Sequence, residues 1–367
     1  MTTAATASRI YKLRLRLDAQ GLDALLVSQP QNRRYLSGFT GSAGYLLISE
    51  SATRIATDFR YFEQASRQAP DFQLQPITAA PLESWLPGLL DGLGGKRVGF
   101  DAAHMPQATY RQITQTLRSL PSAERPRLVA TTDFVEELRA IKEPEEIAAI
   151  QAAVDLSDAA YAHLRRHIEI GWTEKRVAWE VESYMREHGG EALAFETIVA
   201  FGEWSALSHA YPRDVPLQEN QISLIDMGVR LDGYCSDMTR TFVIGEPDST
   251  FRRLYDIVLG AQLAAYELIA AGMTGEQAHM LAHRVIEEAG HGERFGHGLG
   301  HGVGLEVHEL PRLGRGSDTV LVDGMVMSVE PGIYISGWGG VRIEDLAVME
   351  NGRLRPLTRS PKLEFEN

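Results

Sequence analysis

Cysteine is almost absent from this sequence. The single Cys235 cannot close a disulfide within one chain, which excludes a disulfide scaffold and fits a reducing cytosol. No window approaches the ~20 consecutive apolar residues that a membrane span needs. The first twenty residues are studded with Arg and Lys and lack a continuous apolar stretch, so a secretory signal is not expected. Blocks of lysine or arginine are also missing. With a net charge of −13 the chain would on average repel a polyanion, which argues against nucleic acid as a partner. What remains is ordinary for a globular enzyme: 44% hydrophobic and 23% charged residues over 367 positions, enough for two cores.

The first third alternates short β-like runs (24–27, 44–49, 54–58, 72–77 and 97–101) with helical patterns (60–68, 82–93 and 107–120). That alternation predicts an α/β domain over 1–132, with Pro121, Pro126 and the run 129–133 marking a boundary near residue 132. Beyond it the rhythm changes. A helix over 143–168 carries Ile147, Ile150, Val154, Tyr161, Leu164 and Ile168 on one stripe. A second helix is capped by Thr173 and ended by Gly189. Strand-like segments fill 197–243, and the order then recurs: helical patterns over 251–271 and 275–289, and strands from 295 to 349. Two helices followed by strands, twice, predict an α+β domain over 133–367, with helices covering one face of an antiparallel sheet.

Three segments carry chemistry. In Leu224-Ile-Asp-Met-Gly-Val-Arg-Leu-Asp-Gly-Tyr-Cys-Ser-Asp-Met-Thr-Arg-Thr-Phe242, Asp232-Gly233 is a strong hairpin signal. With those residues at the turn, Gly228 faces Asp237, and Asp226 lies diagonally from Asp237 on the same face. Diagonal neighbours are roughly 7–8 Å apart, so both carboxylates reach one cation site; a solvated hairpin with surface Asp is the alternative. In Phe295-Gly-His-Gly-Leu-Gly-His-Gly-Val-Gly-Leu-Glu-Val-His-Glu-Leu-Pro311, His297, His301 and His308 lie among glycines at every second position. Such spacing strips one face of side chains and admits a ligand or another backbone, and neutral imidazole is a common metal ligand. No helix pattern follows these glycines, against a dinucleotide loop. No second His follows His308-Glu309 at zincin spacing. His279 and His283 stand four apart on a helix without the zincin Glu and read as surface or boundary residues. The third segment pairs Met325–Ile335 with Gly340–Leu346 around 337–340 and sets Glu330 and Glu344 in apolar runs. Carboxylates there are rarely buried unless paired or metal-bound, and Arg342 or Arg240 could pair with one. Four carboxylates with one imidazole suit Mn²⁺, and also Co²⁺ or Zn²⁺. Two cations roughly 3.5–4 Å apart would activate a water and polarise a carbonyl. Cys235 lacks an evident base for nucleophilic work.

The segments Ile225-Asp-Met-Gly, Ser236-Asp-Met-Thr-Arg-Thr, Gly300-His-Gly-Val-Gly-Leu-Glu-Val-His-Glu, Val329-Glu-Pro-Gly-Ile-Tyr and Val341-Arg-Ile-Glu-Asp resemble, in order and spacing, those of the pita-bread (M24-type) metallopeptidases. Asn32-Arg-Arg-Tyr-Leu-Ser-Gly-Phe-Thr-Gly-Ser-Ala-Gly44 resembles the creatinase-like N-terminal domain of the Xaa–Pro peptidases. The resemblance implies a creatinase-like domain over 1–132. It implies a pita-bread catalytic domain over 133–367, two helix–helix–hairpin halves around a curved antiparallel sheet. By the same resemblance Asp226 chelates one of two divalent ions, Asp237 and Glu344 bridge both, and His301 and Glu330 complete the other. Glu330 handles the proton of the bridging water, His308 stabilises the tetrahedral intermediate, and His209 and His297 face the substrate. Arg342 supports the metal-site carboxylates.

The implied activity is hydrolysis of small proline-containing peptides. An Xaa–Pro aminopeptidase is favoured by Tyr35-Leu-Ser-Gly-Phe-Thr-Gly-Ser. An Xaa–Pro dipeptidase is the alternative, with Arg312 placed for a substrate carboxylate. A non-catalytic peptide-binding module is a more distant one. The family also implies a homodimer, and the sequence a cytoplasmic protein with no membrane partner.

Overall fold

In the computed structural model of the chain, residues 3–78 and 81–363 are described. The chain divides into two compact units, Met1–Arg139 and Ala140–Asn367.

The first unit runs α1 (Thr3–Ala19), β1 (Ala24–Val27), α2 (Pro30–Ser37), β2 (Tyr45–Ser49), β3 (Thr53–Asp58), α3 (Phe62–Gln68), β4 (Gln73–Ile77), α4 (Leu86–Leu89), β5 (Arg97–Asp101), α5 (Gln107–Ser119), β6 (Arg127–Thr131) and α6 (Glu136–Ala140). Its six strands form one mixed sheet in the order β4-β3-β2-β1-β5-β6. β1, β5 and β6 are parallel, and β2 returns antiparallel beside β1. All four residues of β1 are buried, as expected of a central strand covered on both faces. The structure differs from the sequence reading at 82–93, where one helix was expected. A 3₁₀ turn and the four-residue α4 stand there, because Pro87 and Gly88 follow so closely that no longer run can form. Helices α1 and α2 were not expected. The second begins with Pro30 in its first turn and ends at Gly38, whose φ is 79°.

The second unit opens with α7 (Pro144–His167) and α8 (Glu174–Glu187), where the Thr173 hydroxyl accepts from Arg176 N. Then come β7 (Ala192–Leu193), β8 (Ile198–Phe201), β9 (Ile222–Met227), β10 (Val229–Leu231), β11 (Tyr234–Cys235) and β12 (Met238–Val243). The second half repeats the order with α9 (Ser249–Leu268) and α10 (Gly275–Glu288). After these run β13 (Gly300–Gly302), β14 (Glu309–Leu313), β15 (Val326–Val329), β16 (Gly332–Ile335), β17 (Gly339–Arg342), β18 (Asp345–Glu350) and β19 (Arg353–Pro356). Every named strand pairing in this unit is antiparallel.

Each half has its own core on the helix side. Val177, Val181, Ile225, Met227 and Met238 pack with α7, and Val258, Ala282, Val329, Ile343 and Ala347 with α9 and α10. Burying each large apolar side chain stabilises by roughly 1.5–3 kcal/mol. Strand side chains alternate between faces. With Ile225 and Met227 committed to the helices, Asp226 must face away; Val329 and Ile343 do the same to Glu330 and Glu344.

His279 and His283 are not at the surface. They are 2% and 3% exposed on the inner side of α10, against Phe295. Burial, followed by the nearby His283, pushes His279 down to about 4. An imidazole whose folded pKa lies below its unfolded one stabilises the fold fully above ~6.5, and that stability is lost as pH falls towards 4. Urea unfolding of wild type against His279→Gln at pH 7.5 and 5.0 should show wild type losing more on acidification. The excess is on the order of 1–2 kcal/mol, since pH 5.0 crosses only part of the window. Equal losses would remove His279 from the account.

Candidate metal centre

Asp232 and Gly233 both have positive φ, 45° and 76°, as the tight hairpin turn requires. The turn sets Leu231 opposite Tyr234 and, beyond an irregular stretch at Gly228 and Ser236-Asp237, Met227 opposite Met238 and Asp226 opposite Thr239. Asp237 is two residues before Thr239, so it lies diagonally from Asp226. In the second half Val329 faces Asp345 and Gly332 faces Arg342. The same register sets Glu330 against Glu344, and like charges directly opposed on a sheet are destabilising.

The glycine-rich strand brings the imidazole to these carboxylates. β13 lies between β14 and β15. A Cβ at Gly300 would meet the Ser328 carbonyl, and one at Gly302 the Leu310 carbonyl. Only glycine permits so close an approach. His301 N donates to Ser328 Oγ at 3.0 Å, and that hydroxyl donates to Glu330 Oε1 at 3.0 Å. The His301 Nδ1 proton goes to Gly302 O at 3.1 Å. A carbonyl can only accept, so Nε2 keeps its lone pair. That nitrogen lies 3.3 Å from Glu330 Oε1 and 3.7 Å from Asp237 Oδ2. Donor atoms of Asp237, His301 and Glu344 all lie within 4.8 Å of one another.

The electrostatics call for cations. Asp226, Asp237 and Glu344 are 8%, 5% and 2% exposed. One guanidinium serves the group: Arg342 Nη2 donates to Asp226 Oδ2 at 2.7 Å. Asp226 Oδ1 is buried with no hydrogen-bond partner, an orphaned acceptor that would be costly in a native interior. Burial first, then repulsion from Glu344, drives Asp237 well above the usual carboxylate range. Burial and Glu330 do the same to Glu344, and burial raises Glu330. Divalent cations among these groups reverse that pressure, since they favour the ionised forms. The five donors therefore fit such ions: oxygen-rich, with one imidazole whose lone pair is free.

Residues behind the donors fix them. Thr239 Oγ1 donates to Glu344 Oε2 at 2.6 Å and accepts from Arg342 Nε at 3.0 Å. Arg342 Nη1 donates to Tyr334 Oη at 2.7 Å, and the same hydroxyl lies 3.0 Å from His297 Nε2. Arg240, paired with Asp345 at 2.7 Å, also holds the Glu344 carbonyl at 2.7 Å. Thr239, Ser328 and Tyr334 do not stand out in the sequence, although Thr239 and Ser328 each lie two residues from a candidate donor. Burial lowers the pKa of His297, His301 and His308 alike, keeping these rings neutral.

The remaining candidates lie around this centre. The ring of His308 is 4.2 Å from that of His301. His209 is exposed on the turn after Leu207 and close enough to feel both His297 and His308. Arg312 faces His301 across the β13–β14 ladder and, with His297 and Arg315, lines a cleft of about 950 Å³. Trp204 and Tyr211 meet edge to face at 5.8 Å, Tyr211 being 65% exposed. Cys235 is buried, without the open approach a nucleophile needs.

Comparison with known proteins gives the same two-part division. Residues 148–351 match metallopeptidase family M24, and residues 9–141 match the creatinase/prolidase N-terminal domain. Peptidase YqhT of Bacillus subtilis is 39% identical over 355 residues, covering 96% of this chain and 98% of that protein. The solved Xaa-Pro dipeptidase from Bacillus anthracis superposes with a TM-score of 0.92 at 38% identity, over 98% of this chain and 99% of that one. The X-Pro aminopeptidase from Thermotoga maritima gives 0.87 at 34% identity, over 97% and 99%.

Proposed function

This chain belongs to metallopeptidase family M24, and from that membership we propose that it hydrolyses Xaa–Pro dipeptides at the bond before proline. Asp226, Asp237, His301, Glu330 and Glu344 would hold two divalent ions. When bound, the ions polarise the scissile carbonyl and bring the attacking water towards neutral-pH acidity. The chain's own groups do the rest. Glu330, held by Ser328 Oγ, accepts the proton and passes it to the leaving proline nitrogen. His308 and His209 face the oxygen on which charge develops. His297, fixed by Tyr334, lines the substrate side, and Arg342 holds Asp226 in place. An oxygen-rich donor set with one imidazole favours Mn²⁺, with Co²⁺ or Zn²⁺ as substitutes. A homodimer and a cytoplasmic setting belong to the same reading. Among the described residues no helix is long and apolar enough to cross a membrane.

The observation favouring dipeptides is Arg312, an exposed guanidinium directly across the ladder from His301. There it can take the carboxylate of a C-terminal proline, which a longer peptide carries further away. Resemblance to the Thermotoga aminopeptidase, and the motif around Tyr35, support the second reading, an Xaa–Pro aminopeptidase. Gly-Pro should be cleaved at least tenfold better, by kcat/KM, than Gly-Pro-Ala. Arg312→Ala should raise KM for Gly-Pro by on the order of 10–100-fold, the worth of a charge-assisted hydrogen bond, with kcat little changed. Preference for the tripeptide would replace the dipeptidase reading by the aminopeptidase one.

A further inference from the structure

A second cluster of metal-binding chemistry lies wholly within the first unit. β1, β5 and β6 run parallel, and ligands of such sheets gather beyond the carboxyl ends of the strands. Asp101 is the last residue of β5, His104 lies in the turn that follows, Gln29 follows β1, and Glu136 opens α6 after β6. His104 Nε2 is 3.9 Å from Asp101 Oδ2 and 4.0 Å from Glu136 Oε1. One donor atom from each residue falls within 4.8 Å of the others.

Two further observations point to a ligand. Asp101 is 9% exposed, and its Oδ2 is buried with no hydrogen-bond partner, while Oδ1 accepts from Ala103 N at 3.0 Å. The free oxygen therefore faces the cluster without a donor to satisfy it. The other donors are pre-aimed. Gln29 Oε1 accepts from Asn32 N and Arg139 Nη1, so its amide N–H faces His104 Nε2, at 3.4 Å. A donor on that side makes Nε2 the ring's lone-pair nitrogen, and the length makes the contact easy to displace. Asn32 Nδ2 holds Glu136 Oε1 at 2.6 Å and Val135 N holds Oε2 at 3.2 Å. Oriented ligand oxygens of this kind are usual around metal sites. Burial, then Glu136, raises the Asp101 carboxyl, and Asp133 feels the same repulsion. Arg139 Nη1 donates to the side-chain oxygens of Gln29 and Asn32.

We propose that Asp101, His104 and Glu136 form a separate divalent-cation site, suited to Zn²⁺, that ties the loop after β5 to α6. Zinc accepts carboxylate oxygen and imidazole nitrogen alike, and its four-coordinate sites need only three protein donors beside a water. Tetrahedral ligands at zinc distances stand roughly 3.3 Å apart, so His104 Nε2, at 3.9 and 4.0 Å from the two carboxylate oxygens, has to close by somewhat more than half an ångström on each. His104, with 41% of its side chain exposed, is free to make that move and leaves a fourth position for water.

The test uses the full-length protein with Zn²⁺ alone. Titration calorimetry and elemental analysis after gel filtration should find one more zinc per chain in wild type than in His104→Ala. Asp101→Asn, which keeps the side chain's shape, should weaken the same equivalent at least 100-fold. Both variants should keep wild-type kcat/KM on Gly-Pro in Mn²⁺, which separates this site from the centre in the second unit. Zinc-edge anomalous density between Asp101 and His104 would support the assignment. Equal zinc stoichiometry in wild type and both variants, or an extra equivalent binding more weakly than millimolar, would overturn it.

Discussion

Glu330→Gln should keep its fold and lose turnover, with kcat on Gly-Pro falling on the order of 10³-fold at saturating Mn²⁺. The amide has the shape of the carboxylate, and its oxygen can still accept the Ser328 hydroxyl, 3.0 Å away in wild type. What it cannot do is carry a proton. On this reading the Glu330 carboxylate takes the proton of the attacking water and returns it to the leaving nitrogen. The acid limb of the wild-type pH–rate profile should be displaced or missing in the residual activity. Glutamine retaining more than a tenth of wild-type kcat, at wild-type metal content, would remove Glu330 from proton transfer.

The second large effect concerns stability without ions. Chelation should destabilise wild type at pH 7.5 by on the order of 3–4 kcal/mol for each ion removed, the value for an ion present at 100–1,000 times its dissociation constant. The stripped protein then holds Asp237 and Glu344 buried, with their pKa values raised. The sign follows from linkage. A carboxyl whose folded pKa exceeds its unfolded value contributes stability that is complete below the unfolded pKa, about 4, and lost as pH rises through the folded one. Stripped wild type should therefore lose stability between pH 5 and 8 relative to stripped Asp237→Asn, whose amide is neutral throughout. Comparing the two proteins cancels the opposite trend from His279. Asp237→Asn should also bind metal poorly and be nearly inactive: more stable when stripped, and useless when loaded. If chelation shifts the urea midpoints of both proteins equally, Asp237 does not face the ions.

Much of the centre was legible from spacing. Asp232-Gly233 is a turn that positive φ at both residues enforces, and the register counted back along both arms sets Asp226 diagonally from Asp237. The alternate glycines announced a close backbone approach, and the carbonyls of Ser328 and Leu310 occupy the space. Other features left weaker marks. Thr239, Ser328 and Tyr334 are ordinary strand residues until the sheets bring them behind Glu344, Glu330 and His297. The i,i+4 pair His279 and His283 carries a polar pattern, so the sequence puts it near the surface. The Phe295 segment covers it, and that is a tertiary fact. The helical pattern over 82–93 suits one helix, but Pro87 and Gly88 interrupt it locally. Nothing in the spacing of Asp101 and His104 points to Glu136, which arrives only after a helix and another strand.

Local physics is written in the order of residues: periodicity, turn chemistry, caps and the identity of ligating side chains. Those determined an α/β domain followed by an α+β one, the two-fold recurrence of helices and strands, the five candidate donors and the family itself. Distance between segments far apart in the chain is not written there, because it depends on how apolar faces choose their partners. Only the folded chain decided that Glu330 stands against Glu344, that Arg342 is shared between Asp226, Thr239 and Tyr334, that Arg312 faces His301, and that Glu136 closes on Asp101 and His104. Each follows from strand register and core packing, where burying one face of a sheet dictates which charges must meet on the other.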